Sequence, residues 1–496
     1  MAGEVKSLNY IDGKWGWPKG AKEIKSVNPA DTRDVICTIP DSPAEEVDRA
    51  VAAARKAFTG WRRTPAPGRA DIIRRASALM TERKQKLGEL VTRECGKPIG
   101  EGLGEAQEAI DMADLAAGEG FRLYGDTAPS KVPNKLCMTV REPVGVCGLI
   151  TPWNFPIAIP SWKVLHGLIC GNTLVLKPAS DTPKCGEEFV RALVDAGLPP
   201  GVLNLVQGRG SIVGEAMSHH RGIQLLSLTG STEMGRRIAV IGGETGKKVS
   251  LECGGKNAEI VMDDADLDLA LEGALWGAFG TAGQRCTATS RLIVQAGVHD
   301  KFADMLVKGA SRLKLGPGLQ ATTDVGPLVN EGQLKTVLEY IRIGKEEDKA
   351  ELVLGGRRTT QGALQYGWFV EPTIFKGVTR TMRIFQEEIF GPVLAVTKVA
   401  TLEEAIEAAN DSEYGLSASI YTRDINHAML ATREIEAGLV YVNAPTIGAE
   451  VHMPFGGVKG TGNGHREAGK TGLDIFSEWK TIYIDYSDKL QRVHLG

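Results

Sequence analysis

The sequence lacks what would place it in a membrane, on nucleic acid or in a disulfide-stapled frame. No apolar run approaches the roughly 18 residues of a membrane span, and even residues 155–171 are interrupted by Pro160, Lys163 and His166. Residues 1–15 carry Glu4, Lys6 and Asp12 and have no apolar stretch of the kind a secretory signal needs. An excess of one charge is missing too: 58 Lys+Arg against 61 Asp+Glu give a formal net charge of −3. Without a basic patch there is no electrostatic footprint for nucleic acid, so neither a nucleic-acid nor a membrane partner is expected. The eight cysteines are scattered, with no CxxC pair and no CxxC…HxxxH spacing. That excludes a zinc-type frame, predicts no bound metal, and predicts free thiols in a reducing, cytoplasmic setting.

Glycine, by contrast, is plentiful. Sixty of 496 residues exceed the usual ~7%, and without a collagen period they imply tight turns and close backbone approaches. The length suggests two large domains or about three ordinary ones. Ser42-Pro43-Ala44-Glu45 has the form of a capping box, and Val47, Val51, Ala54 and Phe58 follow at helical spacing. A long helix is expected over residues 69–95, stopping at Gly96, and another over 101–118. Short apolar runs at 144–150, 173–176, 202–206, 223–228 and 249–253 alternate with helical stretches at 161–169, 187–196 and 231–241. Continuous apolar strands between helices predict a parallel sheet covered on both faces. A second strand–helix succession runs from Asp266 to about Asn443, with the boundary near Lys256. Residues 479–486 read as a strand after the last helix, which needs a distant partner or another subunit.

Several segments could carry chemistry. Gly208-Arg209-Gly210-Ser211-Ile212-Val213-Gly214 has GxGxxxG rather than GxGxxG spacing, and an ordinary strand-to-helix turn explains it equally well. Thr229-Gly230-Ser231-Thr232 follows an apolar strand and opens a helix, so its free N–H groups could face a phosphate. Cys286 lies among small and polar residues, from Phe279 to Thr289, where a turn can expose a thiol and Arg285 is expected to favour the thiolate. Glu252 closes a strand; a base role there requires a nearby reacting centre, and a salt-bridged carboxylate is the plainer reading. Asn154, in Pro152-Trp153-Asn154-Phe155-Pro156, lies just past a strand end, where open α/β folds bind ligands, although turn chemistry alone also accounts for that loop.

Together with Lys177-Pro178-Ala179-Ser180, Glu252-Cys253-Gly254-Gly255-Lys256, Gly283-Gln284-Arg285-Cys286, Glu387-Glu388-Ile389-Phe390-Gly391-Pro392 and Pro454-Phe455-Gly456-Gly457, these motifs occur in a telling order. Along nearly its whole length the chain resembles the non-acylating, NAD(P)-dependent aldehyde dehydrogenase superfamily. The resemblance implies an α/β fold: a Rossmann-like parallel-sheet cofactor domain (1–125 and 142–255), an α/β catalytic domain (256–470), and a small β flap (126–141 and 471–496) that joins subunits into a dimer or tetramer. It further implies oxidation of a small-molecule aldehyde through a cysteine thiohemiacetal and a thioester that is hydrolysed. Cys286 would be the nucleophile, Asn154 the oxyanion donor and Glu252 the base for the deacylating water. Lys177, Glu388, Gly230, Ser231, Phe390, Trp153 and Gly210 match positions that hold NAD or NADP. Ser180 stands where a glutamate is frequent, so NADP acceptance is expected as well. Arg285, the Gly448-Ala449-Glu450 loop and Gly104-Glu105-Ala106-Gln107-Glu108 resemble the aminoadipic and ketoglutaric semialdehyde branches, which implies a carboxylated substrate facing Arg285, although an arginine that only packs against or tunes Cys286 explains that residue equally well. Cys253 replaces a usual leucine, and one extra residue near His465 departs from the common pattern. The alternatives are a catalytically silent relative, like some lens crystallins, and a coenzyme A-acylating enzyme. The second is disfavoured by Glu252, the first by the joint presence of Asn154, Glu252 and Cys286.

Overall fold

The computed structural model describes residues 5–492. Residues 1–4 and 493–496, the outer ends of the expected first and last segments, lie outside the described residues.

The five apolar runs form one parallel sheet, in the order Lys248–Glu252, Leu225–Thr229, Val146–Ile150, Thr173–Lys177, Leu203–Leu205. A hairpin of Asn9–Ile11 and Lys14–Gly16 extends the far edge in antiparallel sense. Leu149, Leu174, Leu176 and Leu225 are fully buried in it, as strands covered by helices on both faces must be. From the central strand Val146–Ile150 the chain first builds outward on one side. It then returns to the other side with Leu225–Thr229, so a crevice opens at the carboxyl ends of these two neighbours. The Pro152–Pro156 loop and the Gly230–Ser231 turn leave the sheet at that crevice.

The second sheet holds Glu351–Leu354, Thr373–Lys376, Val393–Val399, Thr289–Gln295, Asn257–Val261, Ser417–Tyr421 and Leu439–Val442 in that order. All neighbours are parallel except the edge strand Glu351–Leu354. Phe279, Phe302, Phe375 and Phe385 fill its core. A third sheet joins Thr127–Pro129, Lys135–Pro143 and Ser477–Asp485, so the late strand finds its partner far upstream, paired along its length with Lys135–Pro143. All eight cysteines are free. Among the described residues no helix is long and apolar enough to cross a membrane.

Two local expectations need correction. The helix Glu45–Trp61 starts without a side-chain cap; the Ser42 hydroxyl instead accepts from Asn9 Nδ2 at 2.9 Å, a tertiary bond that competes with the capping box. The helix expected over 69–95 is two, Ala66–Glu82 and Lys84–Cys95, broken at Arg83 (φ −97°, ψ 4°). There the guanidinium reaches Asp195 at 2.7 Å. The second helix does end at Gly96, whose φ of +91° and contact with Pro327, 2.7 Å from where a Cβ would sit, both require glycine.

Candidate active site

Cys286 follows a short helical turn, Gly280–Gly283, that enters the strand Thr289–Gln295 of the second sheet. Glu252 ends the strand Lys248–Glu252 at the edge of the first sheet. The two sheets therefore bring their functional side chains together from opposite sides. The glycines between them are steric necessities: a Cβ on Gly255 would lie 2.4 Å from the Cys286 carbonyl oxygen, and one on Gly254 would lie 2.1 Å from Glu388 Oε2.

Two cavities meet at Cys286. One, of about 110 Å³, is walled by Phe155, Ile159, Trp162 and Phe455, with Glu108, Arg285, Gly448, Ala449, Glu252 and Glu467 completing it. The other, of about 290 Å³, is lined by Pro152, Trp153, Asn154, Gly230, Ser231, Glu388 and Phe390. Thr229, Cys253 and Cys286 belong to both.

Glu252 is buried, and neither of its carboxylate oxygens has a hydrogen-bond partner. Burial, and then the like charge of Glu467, push it well above the usual carboxylate range, while Lys163 and Arg466 act in the opposite direction. Gly456 makes room for it, since a Cβ there would sit 2.5 Å from Glu252 Oε1. The Cys286 thiol is pushed up to about 12, first by burial and then by Glu252 and Glu388. Arg285 does not offset this, contrary to expectation. Its Nη2 is paired with Glu101 at 3.0 Å and its Nε donates to Thr281 Oγ1 at 3.0 Å, so its charge is spent locally.

Asn154 is buried, and its Nδ2 donates to the Gln284 carbonyl at 3.1 Å; its main-chain carbonyl accepts from Lys97 Nζ at 2.7 Å. One amide hydrogen remains for another acceptor. Glu388 accepts the Gly255 N–H at 2.9 Å and is pushed up to about 7, chiefly by burial. Trp153 meets Phe390 edge to face at 5.4 Å between centroids. Ser231 caps the helix Thr232–Thr245 by accepting from Met234 N–H at 3.3 Å, and Gly230 N–H is tied to the Glu252 carbonyl at 3.0 Å. Lys177 is buried at the end of Thr173–Lys177, donates to the Pro178 carbonyl at 2.8 Å, and is lowered to about 8 by burial. Near it, Ser180 Oγ donates to the Gly208 carbonyl at 2.9 Å, Gly210 opens the turn Gly210–Gly214 with open space where a Cβ would sit, and Arg209 Nε is held by Asp41 at 3.0 Å.

The sequence pattern of the aldehyde dehydrogenase family matches residues 15–482. The chain belongs to the aldehyde dehydrogenase family. It is 42% identical over 477 residues to the alpha-ketoglutaric semialdehyde dehydrogenase of Bacillus subtilis, covering 96% of this chain and 98% of that protein. Betaine aldehyde dehydrogenase from Staphylococcus aureus, solved in complex with NAD+, superposes with a TM-score of 0.95 at 35% identity, covering 98% of this chain and 96% of that one. An Escherichia coli NADP-dependent enzyme superposes with a TM-score of 0.93 at 38% identity, covering 97% of this chain and 98% of that one. The chain is therefore an enzyme that oxidises aldehydes to carboxylic acids, and neither the silent nor the acylating alternative is favoured.

Reading the sequence missed two groups beside the family's motifs. Lys163 and Glu467 form a fully buried ion pair next to Glu252, and Lys163 Nζ also donates to Ser227 Oγ at 2.8 Å. The signal was present, since Lys163 interrupts an otherwise apolar helix. Glu101 was also missed; nothing in its own segment marks it, because its partners Thr281 and Arg285 come from a distant loop. The extra residue near His465 is absorbed before the motif closes. Phe455 and Glu467 still exchange two backbone hydrogen bonds, both of 2.7 Å.

Proposed function

We propose that this aldehyde dehydrogenase acts on a semialdehyde with a distal carboxylate and uses NAD, with NADP also accepted. One observation carries the mechanism: the thiol of Cys286 stands where an apolar-walled cavity meets a second cavity built from strand-end loops. The second cavity suits a nicotinamide dinucleotide. The N-terminus of the helix Thr232–Thr245 gives Gly230 and Ser231 a place against a pyrophosphate. Glu388 and Lys177 are the ribose-binding candidates, and Trp153 and Phe390 offer an aromatic wall. When bound, the dinucleotide supplies the hydride acceptor.

The remaining chemistry belongs to this chain. Cys286, as thiolate, attacks the aldehyde carbon. The oxyanion so formed takes the free hydrogen of Asn154 Nδ2 and the Cys286 backbone N–H, a donor of the kind whose loss typically costs ~3 kcal/mol. After hydride departs, a thioester remains on Cys286, and Glu252 takes the proton of the water that hydrolyses it. Glu252 must first be ionised, and Lys163 and Arg466 are the charges that favour that state.

Arg285 lines the apolar cavity, where a substrate carboxylate would share its guanidinium with Glu101; the semialdehyde-oxidising relatives also support a carboxylated substrate. Ser180 brings no negative charge against a 2′-phosphate, and Arg209 beside it could exchange Asp41 for one. The segments 1–125 and 142–255 then serve the dinucleotide, and 256–470 carries the nucleophile. The flap 126–141 with 471–496 joins subunits into a dimer or tetramer, which the exposed Trp479, Tyr483 and Ile484 support. The cytoplasm is the proposed setting, in keeping with eight free thiols.

The test is reduced-cofactor absorbance over aliphatic, aromatic and carboxylated aldehydes, with NAD and with NADP. Carboxylated semialdehydes should lead in kcat/KM, Arg285→Met should erase that lead, and Cys286→Ser should bind cofactor without oxidising. Substantial activity in Cys286→Ser overturns the mechanism. Equal kcat/KM for alkanals and carboxylated aldehydes overturns the substrate assignment.

A further inference from the structure

The turn that delivers Cys286 is held in an unfavourable conformation. Thr281 (φ 51°), Ala282 (φ 54°) and Gly283 (φ 69°) are left-handed in succession. For the two non-glycine residues this conformation is disfavoured, and it persists only where the surroundings over-determine it. Gly283 is fixed by space, because a Cβ would lie 2.2 Å from the Gly391 carbonyl oxygen. Thr281 is fixed by a side chain from elsewhere. Glu101, in the first turn of the helix Ile99–Glu119, accepts the Thr281 N–H through Oε1 at 3.2 Å and the Thr281 hydroxyl through Oε2. The same Oε2 pairs with Arg285 Nη2 at 3.0 Å, and Arg285 Nε returns to Thr281 Oγ1 at 3.0 Å, closing a ring.

We propose that Glu101 is a positioning residue of this enzyme: its carboxylate holds the left-handed turn that aims Cys286 and balances the charge of Arg285 at the substrate cavity. The proposal rests on the reading of Cys286 as nucleophile. Glu101 stays ionised in this place: burial opposes its charge, but Arg285, Thr281 and Lys97 outweigh burial and hold it below the usual carboxylate range. Only a carboxylate meets both demands. An amide can accept from Thr281 but leaves Arg285 as an unpaired cation facing the substrate.

Three variants test this, read by kinetics and by iodoacetamide alkylation of Cys286. Glu101→Ala should lower kcat/KM for an uncharged aldehyde by about 100-fold, the scale of a misplaced reacting group. Alkylation of Cys286 should change in parallel, while KM for the dinucleotide stays unchanged. Glu101→Gln should recover most of that rate and raise the preference for carboxylated over uncharged aldehydes by about tenfold, as an unbalanced arginine would. In an Arg285→Met background that change of preference should vanish. If Glu101→Ala does not fold, Glu101→Asp takes the same readouts, being too short to span Thr281 and Arg285 together. Unaltered kinetics and alkylation overturn the proposal, as does a KM for the dinucleotide that rises in step with the loss of rate. If the wild type oxidises no aldehyde, the assigned reaction fails, but the alkylation readout still decides the positioning role.

Discussion

Replacing Glu252 with glutamine separates the two halves of the reaction. The change is nearly isosteric and breaks no hydrogen bond, because both carboxylate oxygens are unpartnered. The amide buries unsatisfied donors, at a cost on the order of 1–3 kcal/mol, which a domain with ~5–15 kcal/mol of stability survives. It also removes one of the groups that push the Cys286 thiol upward, so attack on the aldehyde should not slow on that account. Deacylation, in contrast, should lose the base proposed for it, and a positioned general base is worth about 10²–10⁴-fold. Stopped-flow absorbance should then show a burst of one reduced cofactor per site, followed by turnover slowed by that factor. Loss of the burst would move Glu252 to activation of the thiol. Unchanged steady turnover would refute both roles.

Three further outcomes follow from the same geometry. Burial, then Glu252 and Glu388, push the Cys286 thiol up to about 12, so alkylation should keep rising with pH from 7 to 10; a plateau near neutrality would contradict the assigned environment. Ser180→Glu should raise KM for NADP selectively and leave NAD turnover largely intact, through repulsion worth up to ~100-fold; wild-type enzyme that uses NAD but shows no NADP activity refutes the reading. Lys163→Met strands the buried Glu467 carboxylate and should destabilise the protein by ~3–5 kcal/mol in denaturant unfolding, with Lys163→Met/Glu467→Leu costing less than the single change; equal losses in the two would show that the pair is not coupled.

The parallel part of the first sheet was legible because each of its five strands is a short apolar run in a succession of helices, a pattern with few other solutions; the edge hairpin of Asn9–Ile11 and Lys14–Gly16 was not read. What sequence could not fix was decided by contacts between remote segments. Ser42 looks like a helix cap until Asn9, from the edge hairpin, takes its hydroxyl. The helix expected over 69–95 carries no proline or glycine at its break, and only Arg83's reach to Asp195 marks the place. The late strand read correctly as a strand, but its register against Lys135–Pro143 is a property of the folded chain.

The site shows the same division more sharply. Residue types were readable: a cysteine among small residues, a carboxylate at a strand end, an asparagine past another. Their protonation states were not, because those depend on burial and on charges that arrive from other elements. Arg285, adjacent to Cys286 in sequence, was expected to draw the thiol toward its ionised form. In space its charge is answered by Glu101, and the thiol is raised first by burial and then by Glu252, from the other sheet, and Glu388, from the loop before Val393–Val399. Burial raises both groups, the Cys286 thiol to about 12 and Glu252 well above the usual carboxylate range. Both cavities reach Cys286, and the apolar-walled one reaches Glu252 as well. Ligands that only exclude water beside the thiol would oppose its ionisation further, so the charges or dipoles that favour the thiolate in the proposed reaction have to come from the ligands themselves or from other elements of the fold, not from the neighbour in sequence.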